Sequence, residues 1–177
     1  MFDSFIRRKL NYVETYYLDY IDFGNVYFNN DQPPQINETY IDIGAYTGDT
    51  LKQYIEYNQS FDKIFLYEPN PNAFKILLSN ISKLKISNIE DIFFIQKGVS
   101  SNTKSMFLDK NSIEISSKIE KESGKNRDII SCIKLDDHIN SYINSESLMI
   151  KLDINGHEYL ALQGASQIIK KKKPRII

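Results

Sequence analysis

The chain has 177 residues, of which 41% are hydrophobic, so it is long enough to bury one substantial core and short for two. Its 22 basic and 23 acidic residues leave a formal charge of −1, which gives no electrostatic reason to expect nucleic acid as a partner. The single cysteine, Cys132, excludes an internal disulfide and a cysteine-based zinc site and fits a reducing compartment. No apolar stretch is long enough to cross a bilayer and the N-terminus does not resemble a signal peptide, so we expect a cytoplasmic protein.

The first part of the chain is predicted to be a cover for the main fold. Residues 1–36 contain one helical pattern and an aromatic-rich segment that ends at Pro33 and Pro34. Residues 37–177 are then predicted to form the main domain.

This domain opens with the pattern of a nucleoside-binding site. An apolar, β-branched strand at 39–43 stops at Gly44 and Gly48, and a helical pattern follows. Glycine lets the backbone turn sharply and approach a ligand without a Cβ in the way. The next predicted strand, 63–68, ends in Glu68, whose carboxylate can accept hydrogen bonds from both hydroxyls of a ribose.

The charge of the glycine turn indicates which nucleoside to expect. Dinucleotides place a pyrophosphate on the amides of a turn that usually reads GxGxxG and carries no acid. Here the turn reads GxxxG and is followed by Asp49, whose carboxylate repels a pyrophosphate but suits the ammonium and sulfonium groups of S-adenosylmethionine. The expected ligand is therefore S-adenosylmethionine. The alternative role for Asp49 is to cap the helix that follows.

Strands and helices continue to alternate along the rest of the chain. Asn70 and Pro71 supply the cap and first residue of a helix, and 92–96 is a third strand that leads to Gly98. The apolar face of that helix is predicted to comprise Phe74, Leu77, Leu78, Ile81 and Leu84. Residues 100–128 break the alternation, with short strands predicted at 106–108 and 113–115 and an exposed polar loop.

The last third of the chain returns to the alternating pattern. Strands are predicted at 129–135 and 148–154, separated by a short helix that Asp136 and Asp137 cap. A helix from His157 follows, with a stripe formed by Leu160, Ala161, Gly164, Ala165 and Ile168. Alternation of this kind predicts a Rossmann-like α/β fold, a mostly parallel sheet with helices on both faces. Ligands bind at the carboxyl ends of such strands, where the prediction places Asp42, Gly44, Glu68, Gly98 and Asp153.

Four segments resemble the FkbM-type family of S-adenosylmethionine-dependent methyltransferases: DIGAYTGDT, LYEPNPNAF, IKLDDHI and IKLDINGHEYLALQGA. The resemblance spans about residues 38–177, and its last segment is the most specific. The positions that match the family pattern there are Lys151, Asp153, Asn155, Gly156, His157, Glu158, Leu162, Gly164 and Ala165. The resemblance implies a class I methyltransferase fold and transfer of a methyl group to an oxygen of a small molecule or sugar, in bacterial surface glycan or secondary metabolite synthesis.

The chain departs from the family pattern in two places. Asn155 stands where the family usually has glutamate, which puts in doubt any role of that acid as base or metal ligand. The family's sheet also continues past the strand that begins at Pro174, whereas this chain stops at Ile177. Either the domain is truncated at its C-terminus or something else covers that sheet edge.

Methyl transfer needs a cofactor site and a base. The residues predicted to bind the cofactor are Asp42, Gly44, Ala45, Tyr46, Thr47, Gly48, Asp49, Thr50, Glu68, Pro69, Asn70, Gly98, Val99 and Asp153. His157 is the first candidate for the base because its ordinary pKa is closest to neutral. Glu158 is the second, and Asp153 is assigned to the methionine ammonium or the substrate.

Each of these assignments has a structural alternative. In these alternatives His157 and Glu158 serve only to start a helix, Lys151 pairs with Asp153 or Asp42, and His138 is structural or exposed. Magnesium prefers oxygen ligands such as Asp153, Glu158 and Asp136, but a sequence does not show whether these residues converge.

Two other functions compete with a methyltransferase. One is a domain that binds the cofactor or a partner without catalysis, suggested by Asn155 and the early C-terminus. The other is a nicotinamide-dependent oxidoreductase, which requires a pyrophosphate to tolerate Asp49. The methyl acceptor and the oligomeric state are not encoded in any recognisable pattern.

Overall fold

The computed structural model describes residues 27–28, 33–58, 60–109 and 127–177. The chain divides into two compact units, Met1–Pro33 and Pro34–Ile177, and the strands and helices of the described residues belong to the second. The helix and cover predicted within 1–36 lie almost wholly outside the described residues, as do the strand predicted at 113–115 and its polar loop. The predicted division into a cover and a main domain stays a prediction.

The described residues of the second unit form two sheets. Its strands are β1 (Glu38–Ile43), β2 (Phe61–Tyr67), β3 (Ile92–Ile95), β4 (Gly98–Val99), β5 (Lys104–Asp109), β6 (Arg127–Ile133), β7 (Leu148–Leu152) and β8 (Arg175–Ile176). Five of them form a parallel sheet in the order β3-β2-β1-β7-β8, in which every neighbouring pair runs parallel. The strand order changes direction between β1 and β7, which is where open α/β sheets bind ligands.

Helices cover both faces of this parallel sheet. They are α1 (Asp49–Tyr57), α2 (Pro71–Ile81), α3 (Leu135–Ile139), α4 (Glu158–Gly164) and α5 (Ser166–Lys172), with a 3₁₀ turn at Ile89–Asp91. On one face, Ile41 and Ile43 of β1 share a core with residues of α3, α4 and α5. On the other face, the Tyr40 ring stacks on that of Tyr54 in α1, with centroids 4.3 Å apart. The predicted α/β architecture with a mostly parallel sheet is confirmed.

A second sheet of three strands was not predicted. Its order is β4-β6-β5, with β6 parallel to β4 and antiparallel to β5. The strands predicted at 106–108 and 129–135 correspond to β5 and β6, but both lie outside the main sheet. Periodicity in a sequence indicates that a segment is extended and does not indicate which strand it pairs with.

The helix predicted from His157 onward is broken in two at Ala165. The carboxylate of Asp136 accepts hydrogen bonds from the backbone N–H groups of Gln167 and Ile168, both at 3.0 Å, and so caps α5. The prediction that Asp136 caps its own short helix was wrong, because Lys134 is the N-cap residue of α3 and makes no side-chain cap bond. A long-range cap of this kind has no signature in local sequence.

The helix predicted after Glu68 forms as expected at its start. The Asn70 side chain accepts from the N–H groups of Asn72 and Ala73, at 2.9 and 3.2 Å, and Pro71 is the first helical residue. Its apolar face is narrower than predicted, since the helix ends at Ile81 and Leu78 is exposed. Among the described residues, no helix has the length and apolar character that a membrane crossing requires.

Candidate active site

The glycine turn after β1 is shaped by backbone conformations that few residues adopt. Gly44 and Gly48 have φ of 89° and 86°, and Tyr46 between them has φ of 46°. A Cβ on Gly44 would collide with the carbonyl oxygen of Asp153 on the neighbouring strand end. Only glycine therefore fits position 44, and the turn lies directly against the carboxyl end of β7.

Hydrogen bonds fix this turn to the end of β2. The N–H groups of Gly44 and Ala45 both donate to the carbonyl oxygen of Tyr67 at 3.0 Å. The N–H of Tyr46 donates to Oε2 of Glu68 at 2.9 Å, and the N–H of Asn70 donates to Oε1 at 2.7 Å. The left-handed conformation of Tyr46 thus directs a backbone donor at the predicted ribose-binding acid.

Glu68 is fully buried and lines a cavity at the carboxyl ends of the strands. Burial raises the pKa of its carboxyl group, and the two backbone donors act in the opposite direction. A carboxylate offers about four lone-pair positions, so two acceptor positions remain after these bonds. The side chain is therefore held in place and still able to accept hydrogen bonds from a ligand.

Asp42 and Lys151 form a buried ion pair beneath the turn. The two residues are register partners on β1 and β7, and Lys151 Nζ lies 3.0 Å from Asp42 Oδ1. Lys151 Nζ also donates to the carbonyl oxygen of Gly44 at 2.8 Å. Burial raises the pKa of Asp42 to about 6, against the lowering effect of Lys151. Of the two pairings considered for Lys151, the one with Asp42 is present.

The loop between β7 and α4 also has left-handed residues, Asn155 and Gly156, with φ of 51° and 92°. Oε1 of Glu158 accepts hydrogen bonds from the N–H groups of Ile154 and Gly156, at 3.2 and 3.1 Å. Burial raises the pKa of Glu158, but hydrogen bonds from its own backbone N–H and from those of Gly156 and Ile154 together lower it by more, so its pKa lies below the ordinary value. Glu158 therefore braces the loop, and a carboxylate with a lowered pKa is a weaker base than an ordinary one.

His157 lies at the start of α4 and lines the same cavity as Glu68. Its Nε2 atom is buried and has no hydrogen-bond partner among the residues that the structure describes. Burial and then the charge of Lys104 lower the pKa of His157, while Glu158 acts to raise it. The imidazole is therefore neutral at pH 7, the form in which a histidine accepts a proton.

The cavity has walls from both sheets and a volume of about 30 Å³. Its lining residues are Ile43, Gly44, Tyr67, Glu68, Pro69, Lys97, Gly98, Val99, Ile130, Cys132, Ile154 and His157. Of the predicted site residues, the structure thus brings together Gly44, Glu68, Pro69, Gly98, Val99 and His157. A wider depression of about 910 Å³ lies at the opposite, amino-terminal ends of the strands and contains none of these residues.

The other predicted site residues do not line the cavity. Ala45 is buried within the glycine turn, Thr50 is buried at the start of α1, and Asn70 uses its side chain to cap α2. Asp49 is the exposed first residue of α1 and makes no side-chain cap bond there, and Asp153 is exposed at the end of β7. The three residues in the middle of the turn make contacts within the protein. The carbonyl oxygen of Thr47 accepts a hydrogen bond from the Asn80 side chain, and the N–H of Tyr46 donates to Glu68. Gly48 packs against Leu77 and Ile81.

Six lining residues were not predicted as site residues: Ile43, Tyr67, Lys97, Ile130, Cys132 and Ile154. Lys97 and Tyr67 lie at or beside the ends of predicted strands, and that position in the sequence could have identified them as residues of the site. Ile130 and Cys132 reach the cavity through the second sheet, which the sequence did not reveal. Among residues 27–28, 33–58, 60–109 and 127–177, no three His, Cys, Asp or Glu side chains converge as metal ligands, and Asp136 and Glu158 are bonded to backbone N–H groups.

Residues 42–177 match the model of the methyltransferase FkbM domain. The chain belongs to the FkbM methyltransferase family. The family predicted from the motifs is confirmed, and with it the class of domain. No curated protein matches the chain.

A crystal structure of an FkbM methyltransferase from Methylobacillus flagellatus KT is similar to this FkbM domain. The TM-score is 0.64 at 23% sequence identity, and the match covers 85% of this chain. At this identity the likeness concerns the fold. The match covers 35% of the Methylobacillus protein, so this chain spans about a third of that protein's length.

Proposed function

We propose that this FkbM domain transfers a methyl group from S-adenosylmethionine to an oxygen atom of a small-molecule or sugar acceptor. The observation that carries the proposal is the buried, doubly braced Glu68 carboxylate at the end of β2, beside the point where the strand order changes direction. A carboxylate in that position is what recognition of a ribose diol requires.

The residues of the site fit this cofactor better than a dinucleotide. Asp49 begins α1, where a dinucleotide would place its pyrophosphate, and its carboxylate opposes that group. Gly44 lines the cavity, and Pro69 and Val99 give the cavity apolar walls. Glu68 would hold the ribose. Adenosine is larger than a cavity of about 30 Å³, so binding requires the walls to part.

When bound, S-adenosylmethionine supplies an electrophilic methyl group. The part of the protein is to orient the acceptor hydroxyl and to accept its proton as the oxygen becomes a nucleophile. We assign the proton to Nε2 of His157, which is buried in the cavity wall, lacks a partner among the described residues and belongs to a neutral imidazole. Glu158 has a positioning role, because it fixes the loop that carries His157.

Calorimetry with S-adenosylhomocysteine tests the cofactor assignment. The wild-type domain should bind it, and Glu68→Gln should bind it at least about ten-fold more weakly, because a carboxylate accepts hydrogen bonds more strongly than an amide. Glu90→Gln, at an exposed position in the 3₁₀ turn, is the matched control and should bind as the wild type does. A folded wild-type domain that does not bind, or a Glu68→Gln variant that binds normally, would refute the assignment.

A second variant separates catalysis from binding. His157→Asn should keep the affinity for S-adenosylhomocysteine and lose most methyl transfer to any acceptor that the wild type uses. If transfer by His157→Asn equals that of the wild type, another group takes the proton. Competition by NAD with none by S-adenosylhomocysteine would instead support the oxidoreductase.

The non-catalytic alternative loses one of its supports. Asn155, which suggested it, adopts a left-handed conformation that asparagine tolerates better than glutamate does, so the residue has a conformational explanation. The acceptor class, a cytoplasmic location and the absence of nucleic-acid partners stay predictions from the sequence.

A further inference from the structure

The second sheet contributes an apolar wall to the cavity that Glu68 and His157 line. The residues of this wall are Ile130 and Cys132 of β6, whose side chains are buried. They alternate with Ser131, so both project from the same face of the strand. Burial raises the pKa of Cys132 to about 11, so its side chain is a neutral thiol and packs as a small apolar group.

A small core of its own holds this wall in place. Ile130 and Cys132 form a buried cluster with Met106 and Leu108 of β5, and Met106 is the register partner of Ile130. Beside the cluster, a Cβ on Gly98 of β4 would lie 2.8 Å from the sulfur of Cys132, so β4 and β6 are in close contact. The positions of Ile130 and Cys132 are therefore fixed by packing.

Few side chains of the cavity can bond a polar ligand. The described lining residues with a side-chain nitrogen or oxygen are Glu68, Tyr67, Lys97 and His157. The Tyr67 hydroxyl is used within the protein, since it shares a hydrogen bond of 2.9 Å with Nδ1 of His138. Under the proposed function Glu68 binds the ribose and His157 accepts the proton of the reacting hydroxyl. Of the described lining side chains, this leaves Lys97 for any further hydroxyl of the acceptor.

A fully hydroxylated sugar suits these surroundings poorly. In a cavity of about 30 Å³, an acceptor that reaches His157 also meets the wall of Ile130 and Cys132. A hydroxyl that loses water there and finds no partner is penalised, and an apolar pocket discriminates against one added hydroxyl by up to about a hundred-fold. A hydrocarbon ring or chain carries no such penalty and is stabilised by leaving water.

We propose that Ile130 and Cys132 select the methyl acceptor, and that this acceptor is an alcohol or phenol whose reacting hydroxyl stands alone on a hydrocarbon surface. The assignment of the wall to the acceptor rests on the proposed function. It narrows the acceptor class given there, because a fully hydroxylated sugar is excluded.

Cyclohexanol and myo-inositol are the probes, because both have a ring of six carbons and they differ in carrying one hydroxyl or six. NMR titration of the domain saturated with S-adenosylhomocysteine measures both dissociation constants. The loaded wild type should bind cyclohexanol at least about ten-fold more tightly than myo-inositol.

Two variants place a hydroxyl in the wall with little change of shape. Ile130→Thr and Cys132→Ser should each weaken cyclohexanol binding by about five-fold and keep the wild-type affinity for S-adenosylhomocysteine. Cys132→Ser is the smaller change and tests the wall if Ile130→Thr does not fold. Ile129→Thr is the matched control, because Ile129 lies on the same strand but is 72% exposed, and it should bind cyclohexanol as the wild type does.

Three results would overturn the inference. The first, which needs no variant, is that the loaded wild type binds myo-inositol as tightly as cyclohexanol. The second is an equal weakening of cyclohexanol binding by Ile129→Thr and Ile130→Thr. The third is a loss of S-adenosylhomocysteine affinity in folded wall variants, which would assign the wall to the cofactor. Failure of the proposed function is seen separately, since a folded wild-type domain would then not bind S-adenosylhomocysteine before any alcohol is added.

Discussion

Replacing Lys151 with methionine should destabilise the domain severely and make its stability depend on pH. Lys151 is buried, pairs with Asp42 at 3.0 Å and also donates to the Gly44 carbonyl at 2.8 Å. Methionine keeps most of the side-chain volume but leaves a carboxyl group buried without its cation. Loss of one partner of a buried ion pair typically costs about 3–5 kcal/mol of unfolding free energy.

The pH dependence follows from the raised pKa of Asp42. In the folded wild type this pKa is about 6, against an ordinary value of 3.8. The folded state therefore holds the proton more tightly, so the contribution of this group to stability is complete below about pH 4 and is lost as the pH rises through 6. The difference corresponds to about 3 kcal/mol. Without Lys151 the pKa of Asp42 rises further, so in Lys151→Met the loss continues to higher pH.

Urea denaturation at pH 5, 7 and 8.5 measures both effects. Lys151→Met should lose most stability at pH 8.5 and least at pH 5. The double variant Asp42→Asn/Lys151→Met should recover most of the loss at neutral pH, since it buries no charge. Two results would refute the role given to this pair. One is a Lys151→Met variant that is as stable as the wild type at pH 8.5, and the other is a double variant that is no more stable than Lys151→Met.

The remaining predictions concern the left-handed positions around the site. Gly44→Ala should cost at least about 3 kcal/mol of unfolding free energy, because its Cβ meets the Asp153 carbonyl and its φ is 89°. Gly156→Ala is the matched comparison, because Gly156 has a φ of 92° but open space around its Cβ position, and it should cost only about 1 kcal/mol of unfolding free energy. Equal losses of stability in the two variants would contradict the steric explanation. Tyr46→Asn should raise the free energy of unfolding by about 0.5–1 kcal/mol, since asparagine tolerates a φ of 46° better than tyrosine does, and should keep S-adenosylhomocysteine binding. A less stable variant would show that the tyrosine ring makes an important contact.

The parts of the fold that depend on local sequence were predictable. The strand, glycine turn and helix from 39 onward and the Asn70 cap follow from residue preferences within a few positions, and Glu68 lies at a strand end as expected. The second sheet and the break at Ala165 depend on partners about 30 residues away, such as Asp136 with Ile168. No short-range pattern encodes such partners.

The same distinction applies to the predicted cofactor-binding residues that do not line the cavity. Asp42 and Asp153 were placed at the cofactor because they end strands, and that role stays a prediction, since a strand end does not fix the direction of a side chain. The register of β1 against β7 directs Asp42 to Lys151, inside the protein and away from the cavity. Lys97 and Cys132 contact the cavity only because the second sheet folds over it.

Position 155 shows how a departure from a family pattern can have a conformational cause. A glutamate there suggests a base or metal ligand, and its replacement by asparagine suggests lost activity. In this domain residue 155 has φ of 51°, and Glu158 bonds the N–H groups of residues 154 and 156 on either side of it. A tight loop braced in this way favours a residue that tolerates the left-handed region, and asparagine does so at lower cost than glutamate. Asparagine at position 155 therefore suits the conformation of the loop that carries His157, and its presence is no argument against His157 as the base.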